Sequence, residues 1–363
     1  MIPVTKPYLP SKEKYQKYLD GIWYRQWLTN NGPLVNEYEL KLKEYLKVNH
    51  LLYVSNGTIA LQIALKVLGI KNEVITTPFS YVATTSSLVW EGCEPIFVDI
   101  DPKTFNIDPN SIERAITDRT TAILATHCFG NPCDIESIEC IAQKFDLKVI
   151  YDASHCFGTQ YRGKSILDFG DISTLSLHAT KLIHSVEGGA LVTRNKKLID
   201  EMSLMRNFGH NGPEVFSGVG INGKNSEFHA AMGLAVLEDA DMILLSRKTQ
   251  YAYYNSILKK LDVQHQEINK ESVYNHSYYP VVFESEKAAL KAKSELEAHE
   301  IYSRRYFFPL LSELDYVNNN ETPNAKFISH RILCLPIYVG LSIEEQDMIC
   351  RLLLKAQNNN SLC

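Results

Sequence analysis

The chain has 363 residues, 45% of them hydrophobic, and a formal charge of −5 from 37 lysines and arginines against 42 acidic residues. That is enough apolar material for one large domain plus a smaller one, and without a basic run the electrostatic footprint of a nucleic-acid binder is missing. No apolar run approaches the roughly 20 residues that span a bilayer, and the opening "MIPVTKPYLPSKEKY" lacks a charged-then-apolar leader pattern, so a cytoplasmic protein with no membrane or nucleic-acid partner is expected.

In chain order, "HLLYVSNGTIALQIALKVLGI" runs from a short apolar stretch through Ser-Asn-Gly-Thr into a helix that carries Leu61, Ala64, Leu65 and Leu68 at helical spacing. "EVITTPF", "EPIFVDI", "TTAILATHCFG", "LKVIYDASH" and "ISTLSLH" then read as strands ending in small or polar residues, with helical segments such as "IESIECIAQKFD" between several of them. Strands alternating with helices imply an α/β fold with a largely parallel sheet covered on both faces, whose ligands bind beyond the carboxyl ends of the strands. "EFHAAMGLAVLEDADMILLSRKTQYAYYNSILKKL" reads as one long helical pattern, after which the composition changes. "SYYPVVF" and "HRILCLPIY" as strands and "SEKAALKAKSELEAHE" as a helix make the remainder a smaller α+β domain, giving the division 1–240 and 241–363. The eight cysteines, at 93, 128, 133, 140, 156, 334, 350 and 363, form no CxxC pair and no zinc-type spacing. They read as reduced thiols, mostly in the core, with no metal site, and only the tail "QNNNSLC" is low in complexity.

The chemistry gathers at the strand ends. Lys181 follows a β-compatible run, is bracketed by Leu175, Leu177, Leu182 and Ile183, and precedes a glycine pair. Burial lowers an amine's pKa and makes it nucleophilic, although the segment taken alone also suits a lysine snorkelling from a strand end. Asp152 closes the apolar run "KVIY" and, taken alone, reads equally as a satisfied structural carboxylate. Lys181 comes after one further strand, so both side chains can reach one pocket. Together they are what pyridoxal phosphate needs, an amine for its aldehyde and a carboxylate for its ring nitrogen. "SNGT" opens a helix, where the amides of Gly57 and Thr58 and the Thr58 hydroxyl meet an anion at the positive helix end, or simply cap it. Ser176 is a second phosphate candidate, Tyr81 a ring-stacking or core aromatic, and His155 a partner for the ring hydroxyl or a structural histidine.

The joint order of "SNGTIAL", "TPFSYVATTSS", "PIFVDID", "YDASHCFG", "SLHATK…EGGALVT", "RNFGH", "GINGKNSEFHAAMGLAVL" and "LPIY" resembles the sugar-nucleotide aminotransferases related to DegT, DnrJ, EryC and StrS. The resemblance covers nearly the whole chain. It implies the fold type I, aspartate aminotransferase-like architecture of pyridoxal phosphate enzymes, and transfer of an amino group from L-glutamate to a keto group of a nucleotide-linked sugar by way of pyridoxamine phosphate. Position by position, Lys181 matches the lysine that carries the cofactor, Asp152 the pyridinium partner, His155 the residue near the ring hydroxyl and Tyr81 the stacking aromatic. Gly57, Thr58 and Ser176 match phosphate ligands. Asn222 of "GINGK" matches an asparagine that reaches the neighbouring subunit's phosphate, which implies a homodimer with shared sites.

The chain departs from the family in having "NGTIAL" for the commoner "SGTAAL", a change that spares the backbone amides, and "INGKN" for "YNYRM", which puts Gly223 and Asn225 where larger side chains are usual. Relatives that replace the lysine with histidine are dehydratases, and this chain keeps Lys181. "WLTNNGPLVNEYE" resembles the segment near the sugar-nucleotide site and brings in Thr29 and Asn31, while Arg304 and Arg305 of "HEIYSRRYFFPLL" are diphosphate candidates. Among relatives the chain looks most like those that make dTDP-4-amino-4,6-dideoxyglucose from dTDP-4-keto-6-deoxyglucose for surface polysaccharides such as O-antigen. A 3-aminotransferase acting on a 3-keto isomer and a non-catalytic regulator that binds the cofactor are the alternatives. Cys128 and Cys156 lie in or beside strands and lack an activating context for a cysteine-using lyase.

Overall fold

Residues 1–358 are described by a computed structural model; Cys363 and the end of the low-complexity tail lie outside them. The first half runs α1 (Lys12–Arg25), α2 (Pro33–Leu46), β1 (His50–Val54), α3 (Gly57–Val67), β2 (Glu73–Thr76), α4 (Val82–Trp90), β3 (Glu94–Phe97), α5 (Pro109–Ala115), β4 (Thr120–Thr126), α6 (Ile135–Phe145) and β5 (Lys148–Asp152). Then come the two-residue strands β6 (Gln160–Tyr161) and β7 (Lys164–Ser165), β8 (Ile172–Ser176), β9 (Gly189–Thr193), α7 (Lys196–Met205), α8 (Glu227–Leu237) and α9 (Ala240–Ile257). The remainder holds β10 (Val263–His265), β11 (Ser272–Val273), β12 (Tyr279–Phe283), α10 (Glu286–Glu297), α11 (Pro323–Arg331), β13 (Ile332–Leu335) and α12 (Ile343–Asn358).

Seven strands form one sheet in the order β1-β9-β8-β5-β4-β2-β3. β2, β3, β4, β5 and β8 pair in parallel, and only β9 runs against its neighbours β1 and β8. The sheet is buried on both faces with a strict period of two. Leu51, Tyr53, Ile123, Val149, Tyr151 and Ala190 pack into a cluster with α2, α6 and α8, whereas Leu52, Val54, Leu124, Ile150 and Leu191 pack against α3 and Met202 of α7. Leu61, Ala64 and Leu65 of α3 are buried there as their spacing requires.

Two readings of the sequence change. The long helical pattern after residue 227 is two helices, because the chain breaks at Glu238 and Asp239. Asp239 turns its carboxylate to Lys14 Nζ at 2.5 Å and Tyr8 Oη at 2.8 Å, tying the N-terminal segment to the break. Between Asp152 and Lys181 there are also three strands, since the β6–β7 hairpin precedes β8 and pairs with β11 from the C-terminal part.

The C-terminal part builds its own core on the sheet β10-β12-β13, with Tyr254, Leu258, Tyr279, Val281, Leu296, Leu333, Ile349 and Leu353 buried together. A separate aromatic cluster joins the two parts: Phe79, Phe105 and Phe129 of the first meet Val282, Phe307 and Cys334 of the second, with the Phe129 and Phe307 rings stacked 5.5 Å apart. The seven cysteines among the described residues are free thiols, and all but Cys140 are buried. Among the described residues no helix is long and apolar enough to cross a membrane.

Candidate active site

A cleft of about 560 Å³ opens at the carboxyl ends of β5 and β8 and is lined by Gly57, Thr58, Tyr81, Asp152, His155, Ser176 and Lys181. Seven residues singled out from the sequence thus meet in one place. Each is held there by local chemistry.

Asp152 ends β5 and is 5% exposed. Its Oδ1 accepts from the Ser154 amide at 3.1 Å and the Ser154 hydroxyl at 2.6 Å, and its Oδ2 accepts from Thr84 Oγ1 at 2.8 Å. Having donated its proton to Asp152, Thr84 must accept from Ser80 Oγ at 2.7 Å, and Ser80 in turn from Thr126 Oγ1 at 3.0 Å. This directed chain of three buried hydroxyls fixes the carboxylate from behind. Among the described residues Asp152 makes no close ion pair, and its carboxylate faces the cleft that Lys181 also lines.

Lys181 lies in the connection between β8 and the antiparallel β9. That connection is pinned by Leu177 N to Gly188 O at 2.8 Å, Ala179 N to Val186 O at 2.7 Å and Lys181 N to His178 O at 2.9 Å. Val186 is held at φ 65°, the left-handed region a β-branched residue rarely enters, so the loop carries local strain beside the lysine. Burial pushes the Lys181 amine down to about 8, and the Asp152 carboxylate pulls it back part of the way. Lys181 Nζ donates to Tyr278 Oη at 3.4 Å.

His155 accepts the Phe129 amide on Nδ1 at 3.3 Å. Burial first, and then the Lys181 charge, push this imidazole well below the ordinary histidine range. The ring is therefore neutral with its proton on Nε2, a hydrogen-bond donor.

Asn56 caps α3 by accepting from Ile59 N at 2.8 Å. The amides of Gly57 and Thr58 make no hydrogen bond among the described residues and sit at the positive end of the helix. The glycine pair after Lys181 explains how this end comes so close to β9: a Cβ on Gly189 would lie 2.4 Å from the Asn56 carbonyl and 2.7 Å from the Gly57 amide nitrogen. Ser176, the last residue of β8, lines the cleft beside Gly57, whose added Cβ would lie 3.2 Å from Ser176 Cβ. Tyr81 is 58% exposed, so it is a cleft-lining ring and no core residue.

Five of the residues singled out lie outside the cleft in this chain. Asn222 is exposed on a segment bridged to Asn207. Thr29 and Asn31 lie in the α1–α2 connection, where the Thr29 carbonyl accepts from Trp27 Nε1 at 2.6 Å and the buried Asn31 Oδ1 has no partner among the described residues. Arg304 is exposed, with its backbone bridged to Cys334. Arg305 is committed elsewhere, paired with Glu286 at 2.7 Å and stacked 3.7 Å over Phe308. Of the residues that depart from the family, Asn225 is buried and donates to Tyr53 Oη at 2.9 Å and the Glu187 carbonyl at 2.8 Å. Gly223 accepts the Ser55 amide at 2.8 Å, which braces the loop ahead of α3.

Reading the sequence missed Ser80, Thr84, Thr126, Tyr278, Tyr306 and Phe307. The first two were visible as hydroxyls one helical turn apart in "SYVATTSS"; the aromatics come from the C-terminal part and carry no local signal. Cys128 and Cys156 are buried and their thiols pushed well up by it, so neither is an activated nucleophile.

The family model for the DegT/DnrJ/EryC1/StrS aminotransferases matches residues 10–354. A dTDP-4-amino-4,6-dideoxy-D-glucose transaminase of Shigella dysenteriae is 44% identical over 95% of this chain and 96% of its own. One of the same name from Escherichia coli is 39% identical over 97% and 98%. The crystal structure of DesI in the presence of its TDP-sugar product superposes with a TM-score of 0.94 at 30% identity, covering 99% of this chain and 94% of that one. With the motif order, the cleft and these likenesses in agreement, the chain belongs to the DegT/DnrJ/EryC1/StrS aminotransferase family.

Proposed function

We propose that this protein is a pyridoxal phosphate-dependent aminotransferase that moves the amino group of L-glutamate to C4 of dTDP-4-keto-6-deoxy-D-glucose, giving dTDP-4-amino-4,6-dideoxy-D-glucose. The observation that carries the reading is the conjunction in one cleft of a desolvated lysine, a buried carboxylate in no close ion pair and two unpartnered amides at a helix N-terminus. These fit the three handles of the cofactor, which are its aldehyde, its ring nitrogen and its phosphate. The two transaminases at 44% and 39% identity support C4 over C3 amination and turnover over a regulatory role.

When bound, pyridoxal phosphate supplies a protonated ring that takes up the electrons left when the donor loses its α-proton. The chain's own groups do the rest. Lys181 holds the cofactor's aldehyde, then takes the α-proton on Nζ and returns it, a single base serving both half-reactions. Asp152, oriented by Ser154 and the Thr84 hydroxyl chain, keeps its charge on the ring nitrogen. His155 offers its Nε2 proton to the ring hydroxyl, Tyr81 covers the ring, and Gly57, Thr58 and Ser176 hold the phosphate. Asn222 of one protomer completes the phosphate site of its partner in a homodimer. Exposed Phe216, Val219 and Ile221 beside it support such an interface. In this reading residues 1–240 hold the cofactor and residues 241–363 form the smaller domain that closes the site. Thr29, Asn31 and the exposed Arg304 serve the sugar nucleotide, and the product feeds surface polysaccharide such as O-antigen from the cytoplasm.

The test is to incubate the protein with glutamate, the cofactor and a panel of keto-sugar nucleotides and to assign the product by NMR. A 4-amino dTDP sugar is expected; a 3-amino product, or no amination of any sugar, overturns the reading. Borohydride reduction of the loaded protein should fix the cofactor covalently on the peptide that contains Lys181.

A further inference from the structure

Arg247, midway along α9, is 4% exposed. Its Nη1 donates to the Ile337 carbonyl, its Nε has no partner, and no carboxylate pairs with it among the described residues. Burial pushes the guanidinium down to about 10, opposed by the nearby Tyr278 phenol, which leaves it charged at neutral pH. A buried cation without a counter-ion is strongly unfavourable unless the site is built to receive an anion.

Arg247 lines a recess of about 30 Å³ with Thr5, Thr180, Ser277 and Tyr278, and no acidic side chain lines it. That is more than the room an ordered water needs. The recess is continuous with the main cleft, for Lys181, His155, Tyr278 and Tyr306 line both. Arg247 therefore shares this recess with Lys181 and with Tyr278, whose hydroxyl accepts from Lys181 Nζ.

An aminotransferase admits two substrates in turn to one lysine. An amino acid carries a carboxylate on the carbon that bears its amine. A nucleotide sugar carries its negative charge on the diphosphate, several bonds from its ketone. A buried guanidinium on a recess that the lysine also lines thus meets a substrate anion in one half of the reaction only.

We infer that Arg247 binds a carboxylate of the amino donor, with the donor's carbon chain in the cleft and its amine at Lys181. The inference rests on the aminotransferase reading above. A planar guanidinium with free N–H groups suits a carboxylate's two oxygens, and when the sugar is bound a water takes up the small recess.

The test separates the half-reactions by stopped-flow absorbance in wild type, Arg247→Met and Arg247→Lys. Losing a hydrogen-bonded charge partner should raise the KM for glutamate on the order of 10- to 100-fold in Arg247→Met, with a smaller rise in Arg247→Lys, while the rate with keto-sugar nucleotide stays within about twofold. Equal losses in both half-reactions, or an unchanged glutamate KM, would overturn the inference. If Arg247→Met does not fold, Arg247→Lys carries the same comparison. Calorimetry with glutarate, which has neither amine nor ketone, gives a readout without turnover: it should bind wild type, compete with glutamate and bind the variants more weakly. Glutarate binding that is absent, or indifferent to residue 247, refutes the assignment. A wild type that binds glutarate through Arg247 but aminates no sugar would instead sink only the proposed function.

Discussion

Thr84 Oγ1 donates to Asp152 Oδ2 over 2.8 Å with both side chains buried, and the same hydroxyl is the last of a chain that begins at Thr126. The carboxylate thus has a charge-assisted hydrogen bond whose direction is set by the protein before any ligand arrives. Thr84→Val keeps the shape and removes the donor. It also strands Ser80 Oγ without its acceptor, and the protein without cofactor should lose about 1–3 kcal/mol of stability in urea denaturation. An unchanged midpoint would mean that the hydroxyl chain contributes nothing.

Asp152→Asn is nearly isosteric and removes the charge that faces the cleft. Folding and covalent attachment at Lys181 should persist. Both half-reactions should slow together by roughly 10²–10³, the usual loss when a preorganised electrostatic partner of the transition state is removed. Single-turnover traces with glutamate and then with keto-sugar nucleotide measure it. Near-normal rates would make Asp152 a structural carboxylate.

Lys181 links stability to pH with a definite sign. Its folded pKa is lowered to about 8 from 10.5, so between those values the unfolded chain binds more protons than the folded one. Stability of the cofactor-free protein should therefore rise with pH across that window relative to Lys181→Met, in which the linkage is gone. Urea midpoints of both proteins, taken below about 8 and again towards 10.5, give the comparison. A constant difference would mean that the amine is not desolvated.

Gly189→Ala should act on the phosphate end of the site. The added methyl would stand 2.4 Å from the Asn56 carbonyl, so the segment ahead of α3 must move. A loss of about 1–3 kcal/mol of stability is the usual cost of overpacking, and it should come with weaker retention of the cofactor on dialysis. A cofactor affinity equal to wild type would detach this close approach from phosphate binding.

The strand-and-helix alternation was legible in the sequence because β4 and β5 are buried on both faces and write continuous apolar runs, "AILA" and "VIY". Lys181, Asp152, His155, Gly57 and Ser176 were legible because each stands at the end of such a run or opens a helix. β9 pairing antiparallel at the sheet's interior was not, since apolar runs carry no direction. Nor were Tyr278 and Arg247, whose places depend on how the C-terminal part docks. The break at Asp239 escaped because the helical period resumes at once on its far side and Asp239's partners, Tyr8 and Lys14, are more than 200 residues away.

The stack of Phe129 on Phe307, with Phe79 edge-on at 5.4 Å, leaves no plane along which the chain can come apart cheaply. Loosening the C-terminal part alone would bare three aromatic rings and Cys334 to water and would open the wall of the cleft. The molecule should accordingly unfold in heat as one cooperative unit. In a calorimeter it should give a single endotherm whose van't Hoff and measured enthalpies agree, and alanine in place of Phe307 should split or broaden that peak before it abolishes the fold.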